Sequence, residues 1–187
     1  MGSIIIGTQT WALKNLDIKH YSNGDEIIEV KDNLEWGKLT TGAWCNYEND
    51  PKNDLKYGKL YNWYAINDPR GFAPKGWHVP TDKELIKLIK FLGGKTIAGG
   101  KMKEVGISNW LNPNFGATNA SGFTALPGGY RRKPFNLIGV WGKWWSSTEV
   151  EKLSSNAWNI TINSQNEYLG LDKDDKMHGF SVRLIKD

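Results

Sequence analysis

Cysteine, long apolar runs and clusters of one charge are all scarce in this sequence. Cys45 is the only cysteine among 187 residues, which excludes a disulfide-stabilised scaffold because a single thiol cannot form an intramolecular bridge. No apolar run approaches the roughly 20 residues that span a bilayer, so we expect no membrane insertion. Lys and Arg number 24 against 20 Asp and Glu, and the densest basic cluster is Arg131-Arg132-Lys133. The sequence therefore predicts no nucleic-acid partner.

Histidine is scarce as well, and its distribution bears on catalysis. His20, His78 and His178 are the only three, and they do not have the spacing of metal ligands. The sequence therefore predicts no metal and no other cofactor. For His78, which comes just before a capped helix, we expect a hydrogen-bonded structural role. Cys45 follows Trp44 in a short strand pattern, which is typical of a small buried residue and not of a nucleophile.

Tryptophan and glycine are the abundant residues, numbering 10 and 21. Disordered chains are poor in aromatic residues, so disorder is excluded. Glycine at this density breaks helices, which excludes a coiled coil or a simple helical bundle. The chain has the length of one domain, 1–187, and we expect a loop-rich fold of the α+β or mainly β class.

The first half of the sequence contains the signals of two helices. Apolar residues at three- and four-residue spacing predict a helix over 57–67, ended by Asp68-Pro69. A capping box formed by Thr81 and Glu84, followed by an apolar stripe, predicts a second helix over 81–92.

Much of the rest of the first 140 residues has little regular pattern. Residues 4–13 and 42–47 are predicted to be extended, and 17–40 to be irregular. Residues 95–140 are punctuated by Gly, Asn and Pro. So long an irregular stretch inside a domain is typically functional or is held in place by its own aromatic residues.

The C-terminal quarter alternates in the manner of β-strands. From Trp158 to Asn163 the apolar residues are predicted to face one way and the polar residues the other. Gln165-Asn166 is predicted to form a turn, after which the chain returns from Tyr168. We expect Asp172–Asp175 to be an acidic loop and a final strand to place Phe180, Val182 and Leu184 on one face. The pattern predicts an antiparallel sheet with one buried and one polar face.

The segment Gly128–Arg132 combines glycines with an aromatic residue and two arginines. It lacks a strand–loop–helix context, so a phosphate-binding loop is not indicated. Tyr130 with Arg131 and Arg132 suits a polar or anionic ligand, and an arginine stacked on a structural aromatic ring fits the same residues. The sequence leaves both interpretations open.

Short motifs in a fixed order give the sequence a resemblance to a known family. The motifs are Gly7–Trp11 with Lys14–Leu16, Tyr57–Trp63, Gly76–Asp82, Gly122–Arg131, Trp144–Glu149, Asn156–Trp158 and Gly179–Arg183. With them the chain resembles the Fibrobacter succinogenes major paralogous domain over nearly its whole length. The resemblance implies a C-type-lectin-like fold of the α+β class, with two helices packed on small antiparallel sheets, long irregular loops and adjacent termini. It also implies that Trp144, Trp145, Trp158 and Phe180 are core residues.

Relatives grouped with that family suggest where a ligand would bind. The formylglycine-generating enzymes use a pair of late cysteines and the iron-dependent sulfoxide synthases a His-rich site, and this sequence reproduces neither. In the variable proteins of diversity-generating retroelements, ligand contacts lie in the stretch that corresponds to 141–178. The resemblance therefore implies a ligand-binding face made of Trp141, Lys143, Asn159, Thr161, Asn163, Asn166 and Tyr168. An ordinary soluble sheet face is the alternative.

These observations predict a non-catalytic ligand-binding module, an adhesin or receptor-binding domain that recognises a glycan or a protein at a cell surface. We expect either a bacterial surface or exported domain or a phage virion protein, with other subunits of such an assembly as further partners. Met1–Ile6 lacks the pattern of a secretory signal, which favours the phage setting. One alternative is a metal-dependent enzyme of the formylglycine-generating or iron-oxidase superfamily, with His78 or His178 among its ligands. Another is a structural packing module.

Overall fold

The computed structural model describes all 187 residues and shows a mixed α+β protein built from short elements. The strands are β1 (Ser3–Ile6), β2 (Gln9–Ala12), β3 (Ile28–Glu29), β4 (Ala43–Cys45), β5 (Leu60–Tyr61), β6 (Trp77–His78), β7 (Tyr130–Arg131), β8 (Phe135–Asn136), β9 (Trp141–Glu149), β10 (Asn156–Asn163), β11 (Leu169–Asp175) and β12 (Ile185–Lys186). The helices are α1 (Asn33–Trp36), α2 (Pro51–Tyr57), α3 (Trp63–Ile66), α4 (Asp82–Phe91) and α5 (Lys95–Met102), with a 3₁₀ turn at Tyr47–Asn49. The longest helix, α4, has ten residues, and no helix has the length and apolar character needed to cross a membrane.

Helix α4 begins at the capping box that the sequence predicts. The Thr81 hydroxyl accepts a hydrogen bond from the Glu84 amide at 3.3 Å, and the Glu84 carboxylate accepts one from the Thr81 amide at 2.8 Å. Both amides would otherwise lack a partner at the start of the helix. Leu85, Leu88 and Ile89 form its buried stripe. The second predicted helix is confirmed.

The helix predicted over 57–67 is wrong in its bounds. Helix α2 precedes this region, α3 lies near its end, and the strand β5 separates them. Helix α2 starts early because the Asp50 carboxylate accepts a hydrogen bond from the Lys52 amide at 2.9 Å and Pro51 occupies the first turn. It ends at Gly58, whose φ of 72° is not helical.

The stretch 95–140, predicted to be irregular, contains helix α5 at its start. Gly99 and Gly100 conceal this helix from sequence analysis because glycine is a poor helix former. A Cβ on Gly99 would lie 2.6 Å from the carbonyl oxygen of Tyr168, and one on Gly100 would lie 2.3 Å from that of Gly116. The two glycines therefore allow α5 to pack directly against neighbouring backbone.

Buried tryptophans hold the irregular segments in place, as their abundance suggests. Trp110 donates from Nε1 to the carbonyl oxygen of Ala125 at 2.9 Å, across the long loop after α5. Trp36 Nε1 donates to the carbonyl oxygen of Met177 at 2.8 Å. The five fully buried tryptophan side chains are Trp11, Trp36, Trp110, Trp144 and Trp145.

The strands form four small sheets, with the orders β1-β2-β12-β6, β11-β10-β9, β3-β4-β5 and β7-β8. The pairing of β3 with β4 is parallel, and the other strand pairs are antiparallel. Strand β12 pairs with β2 through Ile185 and Trp11. The first and last strands thus belong to one sheet, and the termini are close together as the resemblance implies.

The sheet of β9, β10 and β11 has two faces made from alternate residues. Its inner face carries Trp144, Ile160 and Ile162, which belong to a hydrophobic cluster with residues of α4 and α5. Its outer face begins with Trp145 and Ala157, packed in a second cluster with Phe180, and continues with polar residues. The alternation predicted from 158 to 163 is confirmed.

Two predictions for the C-terminal quarter are wrong. Asp172–Asp175 is not a loop but the end of β11, because β10 continues far enough to pair with all four residues. In the closing segment, the last strand is Ile185–Lys186 and does not include Phe180 to Leu184. Ser181 and Arg183 are each 2% exposed, so the side expected to be polar and open is buried too. Ser181 donates its backbone amide to Lys143 of β9, and the Arg183 side chain donates to the carbonyl oxygens of Ala12, Leu13 and Phe123, so both residues are enclosed.

Three of the four tryptophan and phenylalanine core residues implied by the resemblance are confirmed. Trp144, Trp145 and Phe180 are buried, and the rings of Trp145 and Phe180 stack with their centroids 4.2 Å apart. Trp158 is only half-buried, because it lies at the edge of the inner face under the exposed Lys173, whose ammonium is 4.9 Å from its ring centroid.

Candidate functional site

The candidate site is the outer face of the β9–β11 sheet beyond Trp145. Register places Thr161 opposite Lys143 and Asn163 opposite Trp141, so the predicted residues of β9 and β10 do share one face. On the other side of β10, Asn159 is opposite Asp172. The structure thus brings together the residues predicted on the two neighbouring strands.

The expectation that all of these side chains point outward into solvent is wrong for three of them. Lys143 is 7% exposed, Asn159 0% and Thr161 4%. The hairpin of β7 and β8 covers Lys143, with the Tyr130 ring centroid 5.4 Å from its ammonium. The Phe180 ring lies 4.9 Å from the same ammonium. These three residues form the floor of the site and not its surface.

Asp174 is the centre of the polar contacts on this floor. Its carboxylate accepts a hydrogen bond from Lys143 Nζ at 2.6 Å and another from Asn159 Nδ2 at 3.1 Å. His178 Nδ1 lies 3.3 Å away without the alignment of a hydrogen bond, and Arg132 Nη2 lies 4.0 Å away. We refer to these five side chains as the Asp174 network.

The network determines the ionisation of its central carboxyl group. Burial acts to raise the pKa of Asp174, but the neighbouring His178 and the ammonium of Lys143 outweigh it and hold the pKa at about 2. The carboxylate is therefore charged at neutral pH. Thr161 extends the network, since its hydroxyl donates to Asn159 Oδ1 at 3.1 Å.

Half-exposed aromatic rings border the network. Trp141 and Tyr130 are each partly open to solvent, and both rings lie within 6 Å of the Lys143 ammonium, at 5.9 and 5.4 Å. The Arg132 guanidinium is 5.7 Å from the Tyr130 ring centroid. The molecule's surface pockets are lined by other residues, so the site is a shallow surface of rings and charges.

Arg131 and Arg132, whose roles the sequence leaves open, have different roles in the structure. Arg131 is fully buried, donates to the carbonyl oxygens of Val30 and Lys31 at 2.6 and 2.8 Å, and lies 4.4 Å from the Trp36 ring. The structural interpretation therefore applies to Arg131. Arg132 has a side chain that is 56% exposed and belongs to the site.

The other three predicted residues lie at the turn between β10 and β11. Asn163 Oδ1 accepts from the Gln165 amide at 2.8 Å and Asn166 Oδ1 accepts from the Tyr168 amide at 3.0 Å, so these asparagines shape the turn. The buried Lys103 donates to the carbonyl oxygens of Asn163 and Asn166 at 3.1 and 2.8 Å. Tyr168 is 45% exposed, so an aromatic ring is open to solvent at this turn.

Sequence analysis missed Asp174 and His178 as members of the site. A signal for Asp174 was present, because alternation along β11 places Gly170, Asp172 and Asp174 on the same face as Thr161. The error was to end the strand before Asp172. No pattern in the sequence places His178 beside it.

The remaining candidate residues, His78 and Cys45, do not belong to the Asp174 network. His78 Nδ1 lies 2.7 Å from Asp187 Oδ1 and its Nε2 lies 2.9 Å from Glu84 Oε1, both within hydrogen-bond distance, so its expected hydrogen-bonded role is confirmed. Cys45 is buried, as predicted, and burial raises the pKa of its thiol to about 12. No group of three or more His, Cys, Asp and Glu side chains has an arrangement that could hold a metal ion.

Comparison with known proteins gives one result. A family model described as the Fibrobacter succinogenes major domain matches residues 4–186 of the 187-residue chain. No curated protein and no solved structure matches the chain. The resemblance drawn from the ordered motifs is confirmed.

Proposed function

Since the chain belongs to the Fibrobacter succinogenes major domain family, we propose on that premise that it is a non-catalytic binding module. Its ligand is a glycan or a protein at a cell surface. Its binding site is the Asp174 network with the rings of Trp141 and Tyr130 and, at the turn between β10 and β11, the ring of Tyr168. The setting that we propose is a bacterial surface or a phage virion. The protein would act there as an adhesin or receptor-binding domain.

We also propose that the fold is C-type-lectin-like. Helices α4 and α5 pack on the inner face of the β9–β11 sheet, the termini share one sheet, and long loops connect the small sheets. In this proposal the outer face of the sheet and the β7–β8 hairpin form the ligand-binding side. A solved structure of the protein compared with lectin-like domains tests it.

The observation that carries the functional proposal is a buried, charged network bordered by half-exposed aromatic rings. Asp174 and Lys143 have side chains that are 12% and 9% exposed. Replacing such a pair with apolar residues is often neutral or stabilising, so stability alone gives little reason to have it. Charges held in one geometry lose little freedom on binding, and adjoining aromatic rings supply contact area at low entropic cost.

Glycan-array and whole-cell binding of the purified protein test the proposal. Trp141→Ala is the first variant because its ring is half-exposed and lies on the site. We expect it to weaken binding at least about tenfold while the melting temperature changes little, since aromatic residues dominate binding energy. Tyr168→Ala, at the turn, is the second variant and is expected to weaken binding in the same way.

Trp158→Ala is the matched control. It removes the same side chain from the same sheet, but from the opposite face, where Lys173 covers it. Binding should be retained in this variant. Equal loss in both variants, or a collapse in the stability of Trp141→Ala, would contradict the proposed face.

Two further measurements separate the alternatives. One equivalent of bound metal in the purified protein would favour a metal-dependent enzyme. Stable self-association in solution without any ligand binding would favour a structural packing module. The binding module is expected to give neither result.

A further inference from the structure

A second polar site lies in a surface pocket of about 280 Å³ that shares no residue with the Asp174 network. Three of its lining side chains are cationic: Arg183, Lys14 and Lys56. None of its lining residues is acidic, and the others are Asn15, Thr124 and two leucines. A concave site with charge of one sign concentrates counter-ions of the opposite sign.

Arg183 provides the buried charge of this pocket. The residue is 2% exposed, and its Nη1 donates to the carbonyl oxygens of Ala12, Leu13 and Phe123 at 3.0, 2.9 and 2.9 Å. Its Nε donates to Asn15 Oδ1 at 3.0 Å. These contacts fix the guanidinium plane from one side.

No carboxylate balances this buried charge. Arg183 takes part in none of the salt bridges of the protein. Burial without a counter-charge lowers the pKa of Arg183 to about 9. The Phe123 ring, whose centroid lies 4.3 Å from Arg183 Cζ, is its only other cation partner. A buried cation that is held by neutral oxygens and one aromatic ring gains from a nearby anion more than an exposed one does.

The Nη2 nitrogen of Arg183 is the part of the guanidinium that remains free. It donates to no atom of the protein, and solvent can reach it. Arg183 lines the pocket, and Nη2 is the one nitrogen of its guanidinium that has no acceptor in the protein. Asn15 Oδ1 is not available to accept a hydrogen bond from Nη2. It already accepts from Arg183 Nε and from Trp144 Nε1, the latter at 2.8 Å.

Lys14 and Lys56 add two exposed charges to the rim. Neither forms a salt bridge, and Lys56 Nζ lies 5.1 Å from the Tyr57 ring centroid. Guanidinium and ammonium groups that converge without a carboxylate are the usual donors to carboxylate, phosphate and sulfate groups.

We propose that this pocket binds an oxyanion, with Arg183 Nη2 as the buried donor and Lys14 and Lys56 as the exposed ones. The pocket is at the small end of ligand sites, which suits a free anion or a single acidic group of a larger molecule. The shared chemistry is a carboxylate, phosphate or sulfate group.

Titration of ¹⁵N-labelled protein with inorganic phosphate, sulfate and glucuronate tests the site, with chloride replacing each anion at constant ionic strength. The Arg183 Nε–Hε signal is the direct readout because this group is fixed by Asn15. We expect it to shift in a saturable way with at least one of the three anions. The melting temperature should rise with the same anion.

The variant to compare is Lys14→Gln combined with Lys56→Gln, which leaves the buried Arg183 intact. We expect about tenfold weaker binding, because each partly exposed ion pair contributes up to about a factor of five. The matched control is Lys75→Gln with Lys152→Gln, two exposed lysines outside the pocket that form no salt bridge. The control should bind as the unmodified protein does.

Phosphate or sulfate binding without glucuronate binding would indicate a free tetrahedral anion or a phosphorylated or sulfated ligand. Glucuronate binding alone would indicate a carboxylate carried by a sugar. No shift of the Arg183 signal with any of the three anions would overturn the proposal. Equal affinity in the Lys14/Lys56 variant and its control would overturn it as well.

Discussion

The two faces of the β9–β11 sheet are buried to a similar degree by opposite chemistry. On the inner face Trp144 and Ile160 are each 1% exposed, and on the outer face Asn159 and Lys143 are 0% and 7% exposed. Adjacent residues of the same strands thus enter a hydrophobic cluster on one side and a charged network on the other. Burial alone does not identify a core, because apolar contact stabilises the first face whereas hydrogen bonds compensate for lost hydration on the second.

The largest effect on stability is expected on the inner face. Trp144→Ala removes a fully buried ring, and large-to-small changes of this kind cost about 3–5 kcal/mol of unfolding free energy. Urea denaturation measures it. The control is Trp141→Ala on the outer face, where a half-exposed ring should contribute less than about 1 kcal/mol. Similar costs for the two tryptophans would mean that both faces are ordinary core.

The second largest loss of stability is expected from Asp174→Ala, which tests whether the outer face is stabilised by charge pairing. Asp174→Ala leaves Lys143 and Asn159 without their common acceptor, and we expect it to cost about 2–3 kcal/mol. Adding Lys143→Met should recover much of this loss, because the unpaired buried charge is then removed as well. A double variant as unstable as the sum of the two single ones would show that the ion pair is not the source.

Acid should affect the outer face and leave the inner face unchanged. The pKa of Asp174 is lowered from 3.8 to about 2, so its stabilising contribution is present above about pH 4 and is lost as the pH falls toward 2. With allowance for partial exposure, about 1–2 kcal/mol should disappear over that window.

Asp174→Asn isolates this loss from that of other carboxyl groups. The difference in unfolding free energy between the protein and this variant should shrink from pH 5 to pH 2. The difference made by Trp144→Ala should stay constant, because no titratable group is removed. A constant difference for Asp174→Asn would show that its pKa is not lowered in the folded protein.

The sequence predicts which residues share a face and does not predict how deeply they are buried. Alternation along β10 follows from the two-residue period of a strand, so Asn159, Thr161 and Asn163 could be assigned to one side. Lys143 on the same face is covered by Tyr130 of the β7–β8 hairpin and by Phe180 of the closing segment, and neither residue belongs to the strands of this sheet. No local pattern contains that information.

The elements that sequence analysis missed have a similar explanation. Helix α4 was predictable because Thr81 and Glu84 form a local capping box. Helix α5 was not, because Gly99 and Gly100 serve a close backbone approach that only the assembled fold reveals. His78 could be assigned a hydrogen-bonded role, whereas its partner Asp187 is 109 residues away.

The smallest expected change in unfolding free energy distinguishes the two faces most sharply, because the two explanations predict opposite signs for it. Thr161→Val keeps the shape of the side chain but removes the hydroxyl that donates to Asn159 Oδ1 at 3.1 Å. If hydrogen bonds hold the outer face, the change should cost about 1 kcal/mol. Ile162→Val, its neighbour on the inner face, should cost a similar amount through the loss of one buried methyl group. If packing held both faces, Thr161→Val would instead stabilise the protein, since it replaces a buried hydroxyl with apolar surface.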